Sequence, residues 1–158
     1  MGLSDFVEWQ HYIEDEMVEP LTVTNLGEIW DDMPPLKPEL IEGILRQGHK
    51  MLLVSSSKAG KTFALVELAI SIAEGRRWMD VFRCRQGRVL YLNMELDEAS
   101  FDDRMKKVYE ALEMTNRHPE NIDIVHLRGK VEVLEKLIPQ ITRTMKAKEY
   151  AAVILDPT

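Results

Sequence analysis

Three separated groups of residues carry side chains suited to one piece of chemistry. The first is Ser55-Ser56-Ser57-Lys58-Ala59-Gly60-Lys61-Thr62, a small-residue stretch ending in Gly-Lys-Thr. Set between a strand and a helix, such a turn aims backbone N–H groups and the positive end of the helix dipole, about half a charge, at one point. Phosphate oxygens suit that point. Lys61 would set its ammonium against the terminal phosphates, and the Thr62 hydroxyl would ligate the accompanying magnesium ion. The second group is Glu95, just past an apolar run, a candidate general base for activating water. The third is Asp156, directly after Ala151–Leu155, which would bring a carboxylate to the magnesium shell beside Thr62.

Each group has a plainer reading. The eight-residue stretch departs from the phosphate-loop pattern at its first position, where Ser55 replaces glycine, and it could be an ordinary Ser-rich turn. If Ser55 needed a positive φ, it would cost about 1–2 kcal/mol relative to glycine, against about 1.5–3 kcal/mol for each charge-assisted hydrogen bond to phosphate. Glu95 could cap the helix that follows or meet solvent. Any buried strand ending in Asp would match the third group. Their joint occurrence in a β-α-β-α order is what favours a nucleotide site.

The elements that must position these groups follow from periodicity. Met51–Val54 has the short apolar look of a strand buried on both faces, and Leu40–Leu45 is expected to pair with it through a hairpin turn at Arg46-Gln47-Gly48-His49. From Phe63 to Ala73 the apolar stripe widens almost all round before Gly75 supplies a C-cap, which predicts a buried helix. Arg88–Asn93 reads as the second core strand. The next helix is capped by Asp97 or Ser100 and carries Phe101, Met105, Val108, Tyr109 and Leu112 on one face. Ile122–Leu127 reads as a third strand, and Ala151–Leu155 as a fourth. Between them lies a helix starting near residues 132–135, which would put Pro139 close to its first turn. Carboxyl ends of strands in an open α/β sheet are where ligands bind, and Glu95 and Asp156 both fall there.

Upstream, Asp5 and Glu8 resemble a capping box. Leu3, Phe6, Val7, Ile13 and Met17 share one helical face before Pro20. Pro34-Pro35-Leu36-Lys37-Pro38 reads as a linker, so residues 1–35 are expected to form an acidic N-terminal helix and linker ahead of a domain over 36–158. Charge divides similarly: residues 1–42 hold eleven Asp/Glu against one Lys, whereas residues 43–158 hold sixteen against nineteen Lys/Arg. A body so mildly basic does not argue for nucleic acid. The single Cys84 excludes an internal disulfide framework, and the four histidines show no metal-ligand spacing with one another or with it. The longest apolar run is far short of a membrane span, and acids stand where a signal peptide would be basic, which points to the cytoplasm.

Taken together, SSSKAGKTFALVELAISIAEG, GRVLYLNMEL, the HLRG segment and VILDP resemble the RecA-like P-loop ATPases of the plasmid RepA hexameric-helicase type. The likeness spans roughly residues 36–158. It implies an α/β fold with a parallel sheet flanked by helices, ATP and Mg2+ as ligands, a homo-oligomeric ring when full-length, and single-stranded DNA as a partner. By the same resemblance Lys61 and Thr62 match the phosphate and magnesium positions, Glu95 the catalytic base, and Asp156 the second magnesium acid. In such proteins further strands follow the Asp strand, one of them between it and the phosphate-loop strand. The chain is therefore expected to be a fragment or a truncated reading frame, inactive by itself. Against hydrolysis stands a nucleotide-gated regulatory module. A small-molecule phosphotransferase would need an acceptor pocket and a lid, for which the sequence offers nothing.

Overall fold

The computed structural model describes residues 21–56, 59–114, 117–129 and 134–157. The expected N-terminal helix therefore lies outside the described residues, as do Ser57 and Lys58. The chain divides into two units, Met1–Leu36 and Lys37–Thr158. In the first, the Asn25 side chain accepts the Gly27 N–H at 2.8 Å, and Glu28 N–H reaches Asn25 C=O at 3.1 Å, forming a polar turn.

The second unit is built on three parallel strands: β5 (Val89–Asn93), β6 (Ile122–His126) and β7 (Ala152–Asp156), ordered β6-β5-β7. Central β5 is buried at every residue, as its unbroken VLYLN run requires of a parallel strand covered on both faces. Its register sets Val89 beside Ala152 and Asn93 beside Asp156 on one side, and Asn93 beside His126 on the other. All three strands thus end level. At the opposite end, a Cβ on Gly87 would lie 2.4 Å from that of Ala151, so only glycine lets the chain entering β5 run this close to the approach to β7.

Helix α1 (Lys61–Glu74) packs against all three strands, and nine of its fourteen residues are buried. Burying each of its Leu and Ile side chains contributes about 1.5–3 kcal/mol. Gly75 ends the helix in the left-handed conformation at φ 67°, while Arg76 N–H closes back on Ser71 C=O at 2.9 Å. Helix α2 (Glu98–Ala111) buries Phe101, Met105 and Tyr109 and packs on α1. Its cap is Asp97, whose carboxylate accepts the Ser100 N–H at 3.0 Å. A short 3-10 turn (Pro119–Asn121) leads into β6, and helix α3 (Leu134–Ala147) carries Pro139 in its interior. No helix among the described residues is long and apolar enough to cross a membrane.

Two expectations are corrected. Met51–Val54 is not a strand: Leu52 and Val54 are 85% and 78% exposed, and only Leu53 touches the core. The run is apolar enough for burial on both faces, but a strand exists only through lateral partners, and the described sheet gives it none. The hairpin lies earlier than expected. It joins β1 (Glu39–Ile41) to β2 (Leu45–Arg46) around Gly43 at φ 71°, because Glu39 can then pair with Arg46 at 2.8 Å. The segment after α1 forms a second hairpin, β3 (Arg77–Trp78) with β4 (Phe82–Arg83), and its Trp78 indole donates to Ala64 C=O at 3.0 Å.

Candidate functional site

At the start of α1, Gly60 takes φ 84° and ψ 23°, a left-handed turn that tips the following N–H groups toward solvent and begins the helix at Lys61 without a side-chain cap. Ser55 is not among the residues of positive φ, so serine at that position carries no backbone strain. A cavity of about 460 Å3 opens here, lined on one side by Ser55, Ser56, Ala59 and Gly60. Lys61, Thr62, Glu95 and Arg104 bring the charged and hydroxyl groups to it.

The strand ends bring the acids near the turn. Thr62 Oγ1 donates to Glu95 Oε2 at 2.9 Å across 33 residues of chain, and Lys61 Nζ reaches the Pro157 carbonyl at 3.4 Å. Glu95 and the residue after Asp156 thus meet adjacent residues of the same turn. Met94 N–H also bonds Asp156 C=O at 3.2 Å, tying the two chain exits together.

Asp156 itself is fully buried. Its Oδ2 accepts from the Tyr91 hydroxyl at 3.0 Å, whereas Oδ1 is buried with no hydrogen-bond partner among the described residues. Burial, followed by the charge of Asp156 and its hydrogen bond, drives the Tyr91 hydroxyl far above its ordinary range, so Tyr91 stays a neutral donor. A buried carboxylate oxygen left open in a polar setting is costly. A hard cation would satisfy it, and the oxygen donors of Asp156 and Thr62 fit magnesium.

Glu95, Lys61, Thr62, Ser55, Ser56, Ala59 and Gly60 are brought together around the cavity; Asp156 does not line it, although the next residue, Pro157, does. Three neighbours were not singled out from the sequence. Arg104 stacks over the Phe63 ring, its guanidinium carbon 4.5 Å from the centroid, and both line the cavity. The signal was available: Arg104 falls on the Phe101-Met105-Val108 stripe of α2, where a solvated charge would not. Tyr91 gave a weaker one, a hydroxyl in an otherwise apolar buried strand that must find a partner.

A Gly-Lys-Thr turn at the head of a helix, beside the carboxyl ends of a parallel sheet bearing Glu95 and Asp156, defines an α/β domain of the P-loop class. The chain belongs to the AAA domain family, whose model matches residues 17–158, and it carries the nucleotide-binding, ATPase-type domain of that family. No curated protein and no solved structure matches it significantly.

Proposed function

We propose that the protein binds ATP with magnesium in this cavity and hydrolyses it, as a cytoplasmic ATPase of the replicative-helicase type. The observation that carries the reading is the 2.9 Å bond from Thr62 to Glu95, which holds a carboxylate at the residue beside the phosphate-binding lysine. Lys61 and the N–H groups of Gly60–Thr62 bind the phosphates. Glu95 takes a proton from the attacking water as general base. Arg104, held by Phe63, lies on the cavity wall as a second positive charge for the phosphate chain. Thr62 and Asp156 would hold magnesium. When bound it would neutralise charge on the β- and γ-phosphate oxygens.

The helicase part, with DNA as partner and a ring as assembly, rests on the resemblance of the quoted segments. The division into an acidic N-terminal segment over 1–35 and an ATPase domain over 36–158 rests on the Pro34–Pro38 linker and the uneven charge. The same Thr62–Glu95 bond fits one second reading, a nucleotide-gated module without hydrolysis, because Thr62 can ligate a cation through its oxygen while still donating its hydrogen to Glu95, which keeps that carboxylate oxygen occupied.

One pair of variants separates them. In the full-length protein Glu95→Gln should bind ATP as tightly as wild type while turnover falls at least about a hundredfold, and Lys61→Ala should lose binding in an ATP titration. Undiminished turnover in Glu95→Gln would remove Glu95 as the base.

A further inference from the structure

Asn93 is fully buried at the last position of β5, and its side-chain amide is saturated. Oδ1 accepts the Leu96 N–H at 3.0 Å, and Nδ2 donates to the Leu96 C=O at 2.8 Å. One amide thus grips both backbone groups of Leu96 and closes the chain into a turn with Met94 and Glu95 at its tip. The second Nδ2 hydrogen faces His126 Nδ1 at 3.1 Å, from the adjacent strand end. Because Leu96 N–H requires the amide oxygen on its own side, the amide cannot flip. His126 Nδ1 must therefore accept, and its ring proton sits on Nε2. Nε2 lies 3.5 Å from Asp102 Oδ1 on α2, and the ring meets Phe101 edge-on at 5.8 Å.

We propose that Asn93 and His126 are a positioning pair for the ATPase reaction: they hold the Glu95 turn in the one conformation that presents the carboxylate to Thr62, and they tie it to α2, which also carries Arg104. The inference rests on the reading of Glu95 as the base. Asn93 touches neither phosphate nor water, so it acts through the backbone of Leu96. The groups facing the imidazole are Asn93 from β5, and Asp102 and Glu98 from α2. Glu98, Asp102 and His126 have ligand atoms within 4.8 Å of one another. With Nε2 protonated, however, the trio is hydrogen-bonding rather than metal-ligating, since a ligating histidine needs that nitrogen bare.

Steady-state ATP turnover and histidine 15N NMR of the full-length protein test the pair. His126→Ala should lower kcat about 10- to 100-fold with KM for ATP unchanged, the cost of a misplaced base. His126→Gln, whose side-chain carbonyl can accept the same Asn93 hydrogen, should restore the rate. Asn93→Asp keeps the acceptor for Leu96 but turns an acceptor toward Nδ1. It also loses both donors, to the Leu96 carbonyl and to His126 Nδ1, so its kcat should fall at least as far as that of His126→Ala. His126→Leu, which fills the space without an acceptor, should stay as slow as His126→Ala; recovery in that variant would make the effect one of packing alone and overturn the pairing. In wild type the neutral imidazole should carry its proton on Nε2. A proton on Nδ1, or full kcat in both His126→Ala and Asn93→Asp, would overturn the pairing. Wild-type protein that binds ATP without turning it over would instead overturn the ATPase reading and the kinetic role with it, while leaving the tautomer as found.

Discussion

Two aspartates of the same sheet, Asp123 and Asp156, lie near opposite ends of its strands and live in opposite circumstances. Asp123, on β6, is crowded with donors: Lys148 at 2.8 Å, Tyr150 at 2.8 Å and Arg88 at 3.2 Å. It ties the starts of β5 and β6 to the approach to β7. Among the described residues, Asp156 has one side-chain donor, Tyr91, and one buried oxygen with none. A saturated carboxylate is spent on the fold, whereas a buried unsatisfied one is a cost the fold bears. The difference separates the structural end of the sheet from the end proposed to meet ligands.

The strongest way to break this contrast is to neutralise each acid. Asp156→Asn should reduce magnesium-dependent ATP turnover by about a hundredfold or more while leaving thermal unfolding unchanged or slightly later, because a buried charge has gone. Early unfolding in this variant would make Asp156 structural after all. Asp123→Asn should do the reverse, destabilising the domain by about 1–3 kcal/mol in urea unfolding and leaving the affinity for ATP intact.

Acid sharpens the comparison at the Asp123 end. Burial pushes the Asp123 carboxyl up, but the hydrogen bonds from Lys148, Tyr150 and Arg88 outweigh it and hold it below its ordinary value of 3.8. The folded state thus binds the proton more weakly than the unfolded chain. The resulting stability is present above pH 3.8 and drains away as pH falls through the lowered folded value. Urea midpoints measured down that range should fall more steeply in wild type than in Asp123→Asn. The smallest effect is expected of Tyr91→Phe, which removes the single donor to Asp156 and should cost about 1 kcal/mol, with the loss shrinking when magnesium and nucleotide are present.

Much of this was legible in the chain. The VLYL and AVIL runs are largely apolar up to their last residues, Asn93 and Asp156, and the helix from Lys61 shows its stripe and its Gly75 stop, so β5, β7 and α1 lie where the periodicity put them. Gly60, Lys61, Thr62 and Glu95 could be named because their chemistry is local to a turn or a strand end. Met51–Val54 failed for a non-local reason: apolar content says what a segment could bury, not which strand will lie beside it. The roles of Asn93, Tyr91 and Arg104 were hidden for a similar reason, since each depends on an atom from elsewhere in the chain. His126, read alone, was only a histidine without metal spacing, and its meaning comes from the amide orientation that Leu96 imposes.

The level register of β5 with β7 acts as a gauge. Asn93 lies beside Asp156, and Met94 N–H bonds the Asp156 carbonyl, so the separation between the two acidic exits is set by the spacing of neighbouring strands, about 4.8 Å. The length of the connecting loops does not enter it. The connections on either side of β6 can therefore lengthen or shorten without detuning the site, whereas a slip of one residue between these two strands would displace both acids at once. Diversification in such a protein should run through its loops and spare this one pairing.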